Sequence, residues 1–202
     1  MLIKKGQYKD TVAQLIYNLK SEINLNQEGN FILVGENGVG KSRFIEGILL
    51  KEIKKSGSKL LYFSQDIENQ ILSFELISLV KTFIDNLRRE KSFFKTIFLN
   101  DETHNTTELN FSEKSTLRPD NTDIKNFIIK ECKSYNDLDT IIFDEVDKYF
   151  DSEEEFLRFL DELPIKNIIL ISHIIGHRNL KDFKSIRLIK NTGVIDIEIV
   201  NS

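Results

Sequence analysis

Three short stretches of this sequence bring together residue types that hold phosphate and move protons. The first is Gly35-Glu36-Asn37-Gly38-Val39-Gly40-Lys41-Ser42-Arg43, a glycine-rich turn ending in a lysine and a hydroxyl. Glycines at 35, 38 and 40 let successive backbone N–H groups turn inward onto one anion. Lys41 adds a positive charge with the reach to follow a chain of phosphates. The Ser42 hydroxyl is an oxygen ligand of the kind Mg²⁺ prefers. The second stretch, Thr140-Ile141-Ile142-Phe143-Asp144-Glu145, delivers two carboxylates at the end of an apolar run. Asp144 suits the shell of a Mg²⁺ ion, and Glu145 suits a general base that takes a proton from water. The third, Ile168-Ile169-Leu170-Ile171-Ser172-His173, ends a similar run in a histidine placed to sense a terminal phosphate.

These groups need a scaffold that presents loop ends side by side, and the apolar pattern supplies one. Phe31-Ile32-Leu33-Val34 reads as a buried strand before the glycine turn, with a helix from Phe44 to about Lys55 after it. Ser56-Gly57-Ser58 breaks that helix, and Lys59–Phe63 reads as a second strand, giving the β-loop-α-β start of a parallel sheet. Residues 140–143 and 167–172 add two more buried strands. Between them, Ser152 and Glu155 stand in capping-box spacing at the head of a helix that Pro164 ends. Residues 68–95 read as mostly helical, 100–122 as irregular and 123–136 as helical. The tail reads as a β-hairpin turning at Asn191-Thr192-Gly193. At the other end, Val12, Leu15, Ile16 and Leu19 have helical spacing, which predicts a helix over 10–22 capped by Asp10 or Thr11. The expected fold is α/β: a mostly parallel sheet flanked by helices. It forms one domain over 1–202, with its core in 23–67 and 123–202, a helical or irregular insert over 68–122, and the C-terminal hairpin.

Composition narrows the class. Of 202 residues, 40% are hydrophobic and 30% charged, enough for a real core under a solvated surface. The net charge of −4 argues against a protein whose main task is coating nucleic acid. The single cysteine, Cys132, permits no intramolecular disulfide and reads as a small buried hydrophobe. The N-terminal residues carry no apolar stretch of signal-peptide length, and no window reads as a membrane span. The expected location is the cytoplasm, with any membrane link made through a partner.

Gly35-x-x-x-x-Gly40-Lys41-Ser42 matches the P-loop pattern in full, with a strand before it and a helix after it. Taken in order with the carboxylate pair and the histidine, it resembles the nucleotide-binding domain of ATP-binding cassette (ABC) ATPases over about residues 23–67 and 138–198. The resemblance implies ATP and Mg²⁺ as ligands. It makes the glycine turn Walker A, with Gly35, Asn37, Gly38, Val39, Gly40, Lys41, Ser42 and Arg43 at the nucleotide. Asp144 becomes the Walker B aspartate, Glu145 the catalytic glutamate and His173 the switch histidine. Gln65 alone reads as part of an ordinary strand-to-helix turn; the resemblance makes it the Q-loop glutamine, which touches Mg²⁺ and the attacking water. Asp151, six residues after Glu145, falls at the D-loop aspartate that crosses a dimer interface.

Two departures stand out. Where the family has its Leu-Ser-Gly-Gly-Gln signature, this chain has Ser115-Thr116-Leu117-Arg118-Pro119-Asp120-Asn121-Thr122, with no glycine pair. A helical 1–22 would also replace the family's antiparallel β-layer and its adenine-stacking aromatic, for which Tyr8 and Tyr17 are candidates. Phe143-Asp144-Glu145-Val146-Asp147 is closer to chromosome-maintenance and DNA-repair ATPases than to transporter subunits.

The leading expectation is an ATPase, slow alone, that drives or gates a partner protein as an ATP-dependent homo- or heterodimer. A transporter subunit would need a groove for a coupling helix, for which Ile71, Phe74, Phe83, Phe93 and Phe94 are candidates. An AAA+ ATPase with Ser172 as its sensor needs a helical lid, where this tail reads as strands. A nucleotide-regulated module in DNA repair or defence against foreign DNA would use the basic runs at Lys51–Lys59 and Arg88–Lys91, which also suit a solvated helix face.

Overall fold

The computed structural model describes residues 2–25, 29–68, 71, 119–135, 138–165, 167–172, 180 and 182–200. The chain divides into two compact units, residues 1–67 with 121–202, and residues 68–120. The helical reading of 68–95 and the irregular reading of 100–122 fall almost wholly outside the described residues.

The first unit is α/β with a mixed sheet. Five strands run parallel in the order β6 (Leu60–Phe63), β7 (Thr140–Asp144), β8 (Asn167–Ile171), β5 (Asn30–Val34) and β9 (Phe183–Asn191). β7 and β8 are buried at every position, so they read as unbroken apolar runs rather than alternating ones. β9 turns at Thr192-Gly193 into antiparallel β10 (Val194–Val200), with Gly193 at φ 79. β10 pairs parallel with β3 (Leu15–Leu19), which pairs antiparallel with β2 (Gly6–Asp10) at the sheet edge. A separate short ladder joins β1 (Leu2–Ile3) to β4 (Ile23–Asn24).

The helix expected over 10–22 is therefore a β-hairpin. Leu15, Tyr17 and Leu19 have period two, against the helical spacing of Val12, Leu15, Ile16 and Leu19, and Tyr17 and Leu19 are buried against the core while Val12 is 79% exposed at the turn. Pairing of β3 with β10 decides between the two periods. An antiparallel pair, β2 and β3, thus stands at this end in place of the expected helix, at the edge of the main sheet.

The helix after the glycine turn, α1, spans residues 41–55 as Lys41–Phe44, a π-turn over Ile45–Leu49, and Leu50–Lys55. It packs Phe44, Ile45, Ile48, Leu49 and Ile53 into one core with Phe31, Leu33, Ile186 and Leu188 of the sheet. On the other helices, α2 (Asn121–Ser134) buries Ile124, Ile128 and Cys132, and α3 (Glu153–Asp161) buries Phe156, Phe159 and Leu160. Phe143 of β7 stacks on Phe63 at 5.5 Å and meets Phe156 and Phe159 edge-on. Cys132 is the buried hydrophobe its sequence suggests, and burial pushes its thiol up to about 12. At the head of α3 the Ser152 hydroxyl oxygen accepts from Glu155 N–H at 3.1 Å, and the Glu155 carboxylate in return accepts from Asp151 N–H at 2.8 Å. Among the described residues, no helix is long and apolar enough to cross a membrane.

Candidate functional site

The loops that follow β5, β6, β7 and β8 leave the sheet at its carboxyl edge, the edge at which open α/β sheets gather their ligand sites. The glycine turn leaves β5 next to β9, which runs on past the end of β5. A Cβ on Gly35 would lie 2.7 Å from the Leu188 carbonyl oxygen, so the close approach of loop to strand requires glycine there. Gly40 stands at φ 102 with Tyr17 Oη where a Cβ would go, and that hydroxyl donates to the Gly40 carbonyl at 3.0 Å. Tyr17 is thus a fully buried support of the loop rather than a face on which a base can stack. Tyr8, the other candidate, is partly buried and donates to the Lys4 carbonyl at 2.6 Å.

Lys41 is nearly buried, and its ammonium folds back onto its own loop, 3.0 Å from Gly35 O and 3.3 Å from Glu36 O. Asn37 and Gly38 are exposed at the tip, and Val39 is buried beneath it. Arg43 differs from its neighbours. Its guanidinium makes two bonds to Asp10 Oδ2, at 2.7 and 3.1 Å, and one to Glu46 Oε2 at 3.0 Å. Asp10 is fully buried, and its other oxygen accepts from Val12 and Ala13 N–H, which closes the β2–β3 turn. The Arg43 side chain therefore ties that turn to α1, which leaves its backbone N–H at the helix start for an anion.

Asp144, the last residue of β7, is fully buried. Its Oδ2 accepts from the Tyr62 hydroxyl at 3.3 Å, while its Oδ1 is buried with no hydrogen-bond partner among the described residues. Burial, with the charges of Glu145 and Glu46 adding to it, pushes its carboxyl up to about 6 against the pull of the Ser42 and Tyr62 hydroxyls. An orphaned carboxylate oxygen beside a serine hydroxyl at a helix start fits a hard cation held by few protein ligands. Among the described residues, no group of three or more His, Cys, Asp or Glu is gathered to hold a metal.

Glu145 follows at φ 57, ψ 31, a left-handed conformation that a long side chain adopts at a cost of roughly 1 kcal/mol or more. Its N–H donates to Ile171 O at 2.8 Å, and its carboxylate accepts from Gln65 Nε2 at 2.7 Å. The structure thus joins Gln65 and Glu145 directly, across a sequence separation of 80. Asp151 is placed otherwise: it is exposed ahead of α3 and pairs with Lys125 at 2.8 Å. His173 lies outside the described residues, as do His104, His177, Ser115 and Arg118.

Sequence reasoning missed four groups. Asp10 and Glu46 belong to the Arg43 network, Tyr62 contacts Asp144, and Asp147 is buried where Ser172 donates to it, anchoring the end of β8. Only Glu46 left a signal: it follows Ser42 by one helical turn and so shares its face. A cleft of about 470 Å³ lies on the other side of the loop, between Gly35, Glu36 and Val39 and the β9 residues Arg187 and Lys190. It reaches neither Ser42 nor Asp144. No protein-family model matches the chain, and no curated protein matches it significantly.

Proposed function

We propose that this chain is an ABC-type P-loop ATPase that hydrolyses Mg²⁺·ATP to drive or gate a partner protein, working in the cytoplasm as an ATP-dependent dimer. The observation that carries the reading is the buried, unpartnered Asp144 Oδ1 beside Ser42, after a glycine turn in which a Cβ on Gly35 or Gly40 would clash.

In this reading the backbone N–H groups from Gly40 to Arg43 hold the phosphates at the start of α1. Lys41 exchanges the Gly35 and Glu36 carbonyls for phosphate oxygens, trading neutral acceptors for charged ones. Ser42 and Asp144 would hold Mg²⁺, which when bound neutralises charge on the triphosphate. Glu145 takes the proton of the attacking water through Oε1 or Oε2, and Gln65, already bonded to that carboxylate, keeps it and the water in register. His173 is assigned to the terminal phosphate.

The test compares purified wild type, Glu145→Gln and Lys41→Ala. Glu145→Gln should lose at least about 100-fold in ATP turnover while still binding ATP, as expected for loss of a general base. Lys41→Ala should lose binding. Turnover by Glu145→Gln at the wild-type rate would remove the catalytic assignment.

A further inference from the structure

Two hydroxyls act on the buried Asp144 carboxylate, those of Ser42 and Tyr62. The Tyr62 hydroxyl sits between two carboxylates, 3.3 Å from Asp144 Oδ2 and 3.4 Å from Glu46 Oε1. A phenol carries one proton and can donate to one of them at a time. Tyr62 is at the carboxyl end of β6, whose register places it beside Ile142 of β7, two residues before Asp144. Glu46 is fixed in turn by Arg43, and Arg43 by the fully buried Asp10. A polar chain therefore runs from the β2–β3 turn through Asp10, Arg43, Glu46 and Tyr62 to Asp144. Its last link occupies one carboxylate oxygen and leaves the other, Oδ1, buried and without a partner.

We propose that Tyr62 is a positioning residue that fixes the Asp144 carboxylate with Oδ1 presented to a divalent cation. Tyr62 touches neither metal nor nucleotide in this arrangement. Its work is done on Asp144, whose Oδ2 it holds at 3.3 Å. The inference rests on the reading of Asp144 as a metal ligand, but its consequence is specific: the hydroxyl governs metal affinity and not nucleotide affinity.

The experiment uses the full chain, Mn²⁺ as the metal and ATPγS as the nucleotide. Bound Mn²⁺ is followed by electron paramagnetic resonance, and nucleotide binding is titrated separately in EDTA. Tyr62→Phe should weaken Mn²⁺ binding to the nucleotide complex about tenfold, the scale of one hydrogen bond to a charged group. Metal-free ATPγS affinity should stay within about twofold of wild type, since the phosphate loop is untouched. Equal losses of metal and nucleotide affinity would mark a merely structural tyrosine and overturn the proposal, as would unchanged Mn²⁺ affinity. Asp144→Asn is the reference. If it too binds Mn²⁺ as the wild type does, the metal reading of Asp144 fails; if it alone loses Mn²⁺, that reading stands and the role of Tyr62 fails. Should Tyr62→Phe not fold, a crystal structure of the wild type with Mn²⁺ and ATPγS decides. The expected structure has Tyr62 Oη on Oδ2 and the metal on Oδ1, and a Tyr62 hydroxyl turned away from Asp144 overturns the proposal.

Discussion

An ionised Asp144 has given up its water, and one of its oxygens has gained nothing in exchange. Its carboxyl sits at about 6, above the ordinary value near 4, because burial penalises the charge more than the Ser42 and Tyr62 hydroxyls relieve it. The folded state therefore binds this proton more tightly than the unfolded chain does. Stability from this group is present at low pH and is lost as pH rises between the two values, on the order of 2–3 kcal/mol in all. In metal-free protein, Asp144→Asn should be more stable than wild type by that amount at about pH 8 and by little at about pH 4. Chemical denaturation at both pH values measures it, and a difference that does not change with pH would refute the account. Glu145 makes a similar sacrifice in the backbone, at φ 57 where its side chain costs stability. Both residues belong to the site of the proposed function, where such costs are common.

At the scale of elements, the β2–β3 hairpin and α1 are joined by one buried carboxylate. Asp10 reaches the π-turn of α1, and a Cβ on Gly47 would lie 2.8 Å from Asp10 Oδ2 and 2.9 Å from its Cγ. Replacing a helical glycine by alanine ordinarily stabilises by about 1 kcal/mol. Here Asp10 is held by Val12 and Ala13 N–H and by Arg43, so it cannot retreat from an added methyl group. Gly47→Ala should instead destabilise the protein by about 1–3 kcal/mol. Urea unfolding reads the sign, and a raised midpoint would show that the contact yields. The same clamp fixes where the β2–β3 turn stands relative to the start of α1, and through Glu46 and Tyr62 it extends to the end of β7.

For the whole molecule, strand order gathers the chemistry. β5 lies between β8 and β9, and β7 lies between β6 and β8, so the loops carrying Lys41, Gln65, Glu145 and Ser172 emerge from one sheet edge. In the proposed function, Glu145 and Gln65, bonded at 2.7 Å, would complete one face of the nucleotide site. The proposed ATPase closes its other face with a second copy or a partner. Sedimentation of Glu145→Gln, which binds ATP but turns it over slowly, should show a species of twice the chain mass with ATP and not with ADP. A protein that stays monomeric at saturating ATP would rule out the homodimer and leave a partner to supply the second face.

Local physics settled much of this protein in its sequence. The glycine turn, the apolar strands ending at Val34, Asp144 and Ile171, the Ser152 cap and the hairpin at Gly193 depend on neighbours a few residues away. Hydrophobic period and turn chemistry record such neighbours directly. The tertiary structure alone decided the rest. Residues 10–19 carry both a helical and a strand period, and β10, far along the chain, selected the strand. Tyr17 meets Gly40 across 23 residues, Arg43 meets Asp10 across 33, and Tyr62 meets Asp144 across 82. No local signal names a partner at such distances, because the free energy that selects it comes from burial and pairing available only once the sheet has formed.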